Sequence, residues 1–205
     1  GRNLTGKSLR SLGKKENYKK KRILICADTL TTESNSGKAL ISHMLNYGEN
    51  DTCYFAVVLN QETISIPPGD ISVCYPQIIE DINYPIDKNT KIRIPSVMDT
   101  LNTIYMQDPD EVMIASTGPI GLIGLLGAKL LDIPVNLFFF SDPTKSAQKE
   151  TGDISITSTI DSYLKWFFQQ CNTIYLPSSA VFEELEQRVF NVETLKVPPR
   201  LFLKS

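Results

Sequence analysis

One histidine and one tryptophan are all that the 205 residues contain of those types. The four cysteines, Cys26, Cys53, Cys74 and Cys171, stand far apart with no CxxC pair. A protein zinc site needs several Cys or His ligands at close spacing, so this pattern argues against a metal. Cys26 and Cys53 fall in apolar runs, where a free thiol packs as a small hydrophobe. A reduced, cytoplasmic setting is the expectation. No apolar run reaches the roughly 20 residues of a membrane span, and no leader pattern opens the chain. GxGxxG is missing, and no acidic residue is properly placed after the second strand, which ranks a dinucleotide enzyme last. No cofactor is implied. A start at Gly1 rather than Met fits a piece of something longer.

What is present is ordinary for a globular domain: 41% hydrophobic and 21% charged residues, enough for one full core. The net charge of −2 conceals an asymmetry, because residues 1–22 hold nine Lys or Arg and one Glu. That arm carries +8, which leaves −10 for the rest. With few apolar residues and no period, 1–22 reads as a flexible basic arm or linker, and 23–205 as the folded domain. No aromatic platform accompanies the cations, which speaks against nucleic acid. An anionic membrane surface suits them better, so peripheral attachment joins the cytoplasmic expectation.

The most informative stretch is Glu111 to Phe140. Glu111–Ala115 is a short apolar run, Thr117 and Gly118 form a turn, and Pro119 suits a first helical position. A helix over Ile120–Leu131 and a strand over Val135–Phe140, apolar but for Asn136, follow. Continuous apolar strands signal burial on both faces, hence a parallel βαβ unit. Glycines at 118, 121, 124 and 127 form a ridge that drifts around the helix and lets its backbone lie close to a sheet.

Around this unit the alternation repeats. Ile23–Ala27 reads as a strand, Asp28–Ser36 as a polar loop and Gly37–Tyr47 as a helix; His43 within it reads as packed or surface rather than catalytic. Strands are expected over Thr52–Leu59 and Ile71–Tyr75, and irregular chain over Pro76–Thr90. A helix is expected over Ile94–Met106, and after Phe140 a polar loop long enough to be functional. Ile154–Gln170 reads as a helix, Thr173–Leu176 as a strand, Ala180–Val189 as a helix capped by Ser178 or Ser179, and Glu193–Val197 as a last strand. The pattern predicts an α/β, doubly wound parallel sheet.

The segment STGPIGLIGLLGAKLLDIPV resembles the GPxGLxxLLxAxLLGIPV run of GT-B fold glycosyltransferases of the retaining family 4 type. Downstream, TGD…YLKWFFQQCNTIYLPSSAVFEEL is similar to that family's TGD…YMxWFY…PSxATxEEL. The resemblance spans about Lys21 to Arg200 and implies the Rossmann-like, acceptor-side N-terminal half of a GT-B enzyme. It implies transfer of a sugar from a nucleotide-diphosphate donor to a glycan or lipid acceptor. The family's donor-binding residues lie in a second domain that these residues lack, so the chain alone is expected to be inactive. By the same resemblance, Thr29, Ser36 and Gly37 line the donor phosphate edge, and Gly118 and Asp142 lie at strand ends. Ser178 falls on the family serine and Arg200 on the family arginine. The family's histidine falls on Phe140, which can neither donate nor accept a proton, so no catalytic residue is assigned. The alternative is a degenerate, glycosyltransferase-like binding or scaffold module. A purely structural role weighs equally with binding for Thr29, Gly118 and Asp142.

Overall fold

The computed structural model describes residues 20–30, 37–38, 40–42, 44, 52–60, 71–84, 91–188, 190 and 200–201. Among them seven strands form one sheet: β1 (Lys21–Ala27), β2 (Thr52–Val58), β3 (Ile71–Cys74), β6 (Glu111–Ile114), β7 (Val135–Phe138), β8 (Thr173–Leu176) and β9 (Arg200–Leu201). A separate hairpin pairs β4 (Ile78–Asn83) with β5 (Lys91–Pro95). The helices are α1 (Val97–Gln107), α2 (Pro119–Leu131), α3 (Pro143–Thr151), α4 (Ile154–Gln169) and α5 (Ser179–Gln187). Residues 37, 38, 40–42 and 44 are also helical.

The sheet order is β3-β2-β1-β6-β7-β8-β9, and every pairing is parallel. The chain steps outward from β1 to β3, then returns to the other side of β1 and runs on to β9. This is the doubly wound, Rossmann-like arrangement expected from the apolar strand runs. Side chains alternate between two cores. Leu24, Cys26, Val112, Ile114, Val135 and Leu137 face a core shared with α2 and α4, whereas Ile23, Ile25, Met113, Phe138 and Tyr175 share theirs with Leu40 and Met44. Both faces are covered, which explains why these strands read as largely apolar runs, with Asn136 of β7 an exception.

The glycine ridge does what its drift implies. A Cβ at Gly121 would stand 1.7 Å from the Ser116 carbonyl oxygen, and one at Gly124 2.7 Å from Cys26 Sγ. Both lie hard against the sheet. One at Gly127 meets Ile104 and Leu101 of α1 instead.

Several expectations need correction. Residues 76–90 are not irregular throughout, since 78–83 form β4; residues 85–90 lie outside the described residues. The helix expected from Ile94 begins at Val97, because β5 runs to Pro95 and Ser96 caps α1 by accepting from Asp99 N–H. The polar stretch after Phe140 is not a long loop but holds α3. Asp142 caps it, Pro143 opens it, and Gly152 ends it at φ 62°, a conformation that favours glycine. The strand expected to reach Phe140 ends at Phe138, although Phe139 N–H still donates to Tyr175 O at 3.0 Å. β1 starts at Lys21, so the last two residues of the basic stretch belong to the sheet. The strand expected over Glu193–Val197, His43 and most of the basic arm lie outside the described residues. No helix of the described residues is long and apolar enough to cross a membrane.

Candidate functional site

Open parallel sheets bind ligands beyond the carboxyl ends of their strands, in the crevice where the winding reverses. Here the reversal falls between β1 and β6. The chain leaving β1 carries Asp28 and Thr29, and the chain leaving β6 carries Ser116, Thr117 and Gly118.

These residues form a relay. Gly118 N–H donates to Ser116 Oγ at 3.1 Å, and Ser116 Oγ–H donates to Asp28 Oδ2 in a short hydrogen bond. Gly118 is the N-cap of α2, in extended backbone, with no side chain to cap the helix. A Cβ there would stand 3.3 Å from Ser116 Oγ and 3.6 Å from Asp28 Oδ2, so glycine leaves the space over the carboxylate open. Thr117 O accepts from Tyr163 Oη–H, which ties the turn to α4. Burial pushes the Tyr163 phenol up to about 12, so it stays a donor at neutral pH.

Asp28 is the chemically unusual member. Burial pushes its carboxyl above the usual range, and the Ser116 hydrogen bond offsets this only in part. No cation of the described residues pairs with it. A half-buried carboxylate without counter-charge costs stability at neutral pH, and such groups concentrate at functional sites. The sign follows from the raised value. The contribution of Asp28 to stability is present below its unfolded value of about 3.9 and is lost as pH rises through its folded value. We therefore expect Asp28→Asn to stabilise the fold at pH 7 by about 1 kcal/mol. That gain should vanish below about pH 4. Urea melts of both proteins at pH 7 and pH 3.5 check it, and equal midpoints at pH 7 would refute it.

Thr29 and Asn60 extend the rim, with Asn60 Nδ2 donating to Thr29 Oγ1 at 3.0 Å. Asn60 follows β2, and its N–H donates to Asp28 O at 2.9 Å. Gly37, buried and helical, begins the described part of the next helix.

Of the other expected site residues, Asp142 and Ser178 have partners within the fold. Asp142 accepts from Thr144 N–H at 3.0 Å to cap α3 and is ion-paired with Arg188 just past α5. Arg188 also grips Asp161 of α4, which in turn accepts from Thr144 Oγ1 at 2.6 Å. Ser178 caps α5 by accepting from Val181 N–H at 3.3 Å. Arg200 starts β9, and Ser36 lies outside the described residues. Phe140 packs beside the second core, its ring stacked on Phe138 at 4.3 Å and 10°. Among the expected residues, then, the fold brings Thr29 and Gly118 to the crevice. Asp142 lies in a separate ionic cluster.

Asp28 and Ser116 were not among the expected site residues. Their common signal is position: each is polar and sits one or two residues beyond a buried parallel strand. Among the described residues no cluster of His, Cys, Asp and Glu could hold a metal. Fold and crevice together define a Rossmann-like α/β domain with a polar, glycine-lined site at its switch point. No protein-family model matches the chain, and no curated protein matches its sequence.

Proposed function

We propose that the chain is the acceptor-side domain of a glycosyltransferase of GT-B type. It would hold a hydroxyl-bearing glycan or lipid acceptor while a second domain presents the nucleotide-diphosphate sugar. The observation that carries this reading is the Asp28 carboxyl, bonded to Ser116 and without a paired cation among the described residues, beneath the open face of Gly118. A carboxylate there accepts hydrogen bonds from sugar hydroxyls and repels phosphate, so the acceptor's hydroxyl end fits this part of the crevice. The donor phosphates belong at the Gly37 helix start, where backbone N–H groups favour an anion. Thr29, hydrogen-bonded to Asn60, stands between the two.

A second reading has a specific observation behind it. Phe140 takes the place where the resembling family has histidine, and its stack on Phe138 makes it part of the packing. That favours a binding or scaffold module without transfer chemistry. Sugar transfer measured on the chain alone, and on a protein that carries a second domain, separates these readings. The enzyme reading expects none from the chain alone and transfer from the two-domain protein with Phe140 unchanged. Transfer that arises only with Phe140→His establishes the degenerate module, and transfer by the chain alone overturns the division between domains.

A further inference from the structure

The β4–β5 hairpin brings a cation to the rim of the crevice, and two observations place it there. Arg22 of β1 donates through Nε to Gln107 O at 2.8 Å, so the last turn of α1 lies at the amino ends of the strands. With 11 residues α1 is roughly 16 Å long. Its start at Val97, and β5 leading into it, therefore lie towards the carboxyl ends, where the crevice opens. Independently, Arg93 of β5 donates through Nη1 to Leu59 O at 3.4 Å. Leu59 directly follows β2. The next residue, Asn60, donates its N–H to Asp28 O and its side-chain amide to Thr29 Oγ1. Arg93 thus contacts the chain one residue from the groups that line the crevice.

The chemistry of the fork identifies what it takes. A guanidinium carries its N–H donors in one rigid plane. One Nη1 hydrogen of Arg93 goes to Leu59 O, and Nε faces Asp81 Oδ1 of β4 at 3.6 Å. That ion pair is long and open to solvent, with side chains 41% and 36% exposed, so it holds the arginine weakly. The Nη2 edge has no partner among the described residues. Glu80 and Asp81 of β4 balance Lys91 and Arg93 of β5, so the hairpin as a whole does not gather anions. The attraction is local to the fork, whose planar donors match the paired oxygens of a phosphate or carboxylate. Asp28 has the opposite preference: it accepts from hydroxyls and repels an anion. The two side chains flank Asn60, so a ligand that satisfies both carries hydroxyls at one end and an oxyanion at the other. We propose that Arg93 binds an oxyanion carried by the acceptor, which makes that acceptor a phosphorylated or carboxylated sugar. This rests on the acceptor reading of the crevice and narrows its ligand class.

Nitrogen-15 NMR of the whole chain, titrated separately with glucose, glucose 6-phosphate and glucuronate, tests it. At least one of the two charged sugars should bind about tenfold or more tightly than glucose. It should shift the Arg93 Nε and Asn60 amide signals together with those of Thr29 and Gly118. The stronger of the two tells which oxyanion the fork takes. Arg93→Met should abolish the preference, and Arg93→Lys should keep part of it, since an ammonium supplies charge without the fork. Equal binding of all three sugars, with shifts at Thr29 and Gly118, overturns the oxyanion proposal and leaves the crevice reading intact. Shifts at Arg93 and Asn60 alone, matched by inorganic phosphate, overturn the crevice reading and the acceptor assignment with it. A preference that survives in Arg93→Met overturns the proposal, as does no binding by any of the three sugars. The Arg93 Nε signal of the unaltered protein decides the matter even if a variant fails to fold.

Discussion

Replacing Gly121 with alanine should destabilise the domain by about 3 kcal/mol, although alanine is the better helix former by about 1 kcal/mol. The added methyl would stand 1.7 Å from the Ser116 carbonyl oxygen and 2.9 Å from Ile114 Cγ2. The first neighbour is backbone and cannot rotate away. Relief requires moving α2 off the sheet or displacing the turn after β6. Either shift pulls Ser116 from Asp28, so the crevice should be damaged along with the fold. Gly127→Ala is the control. Its methyl meets Ile104 Cδ1 at 3.0 Å, the far end of a flexible side chain, and the helix-propensity gain should leave stability within about 1 kcal/mol of the original. Urea unfolding followed by circular dichroism measures both. Equal losses at the two positions would show that helix α2 does not lie on the sheet as described.

The second large effect is expected at Arg188. Its guanidinium ties Asp142, the cap of α3, to Asp161 on α4, and its side chain is 19% exposed against 13% and 20% for the two carboxylates. Arg188→Met should cost about 2 kcal/mol, because it strands two partly buried carboxylates rather than removing a pair cleanly. Arg188→Lys should recover only part, since a single ammonium cannot serve both partners with a planar fork. The pH profile carries the signature. Burial pushes the Asp161 carboxyl up, but hydrogen bonds from Arg188 and Thr144, with the charges of Arg188 and Lys165, outweigh it and hold the group below its usual range. A lowered folded value contributes stability above the unfolded value of about 3.9 and loses it as pH falls through the folded one. The unaltered protein should therefore weaken on acidification below about pH 4, and Arg188→Met should lose less over the same window. Identical acid limbs in the two proteins would show that the Asp161 pairing does not carry the dependence.

The sequence carries the centre of the fold more clearly than its edges, and the reason is burial. Val112–Ile114 and Val135–Leu137 are buried on both faces, so their strands read as apolar runs interrupted only by Asn136, and the parallel order follows. Helix α3 carries almost no apolar signal; only Thr144 and Ala147 are buried, and it is marked by its Asp-Pro start and Gly152 stop. The β4–β5 pair shows no apolar alternation, because β4 is mostly exposed. The crevice was half legible. Gly118 stands out as a turn glycine before a helix proline. The Ser116–Asp28 bond spans 88 residues, and nothing local in either segment announces it. Asp142 had the right position for a strand-end ligand residue. Its partner Arg188, 46 residues on, shows only in three dimensions.

If ligands bind at the crevice, Asp28 and Gly118 should respond to them, while Asp142, paired with Arg188, should not. Nitrogen-15 NMR of the chain, titrated with a panel of mono- and disaccharides, tests it most directly when repeated on Asp28→Asn and Asp142→Asn. The account predicts that a binding sugar shifts the amides of Thr29, Thr117 and Gly118. It predicts that Asp28→Asn abolishes those shifts while raising stability, and that Asp142→Asn lowers stability but keeps the shifts. Shifts centred on Thr144, Asp161 and Arg188, or sugar binding unchanged in Asp28→Asn, would contradict it.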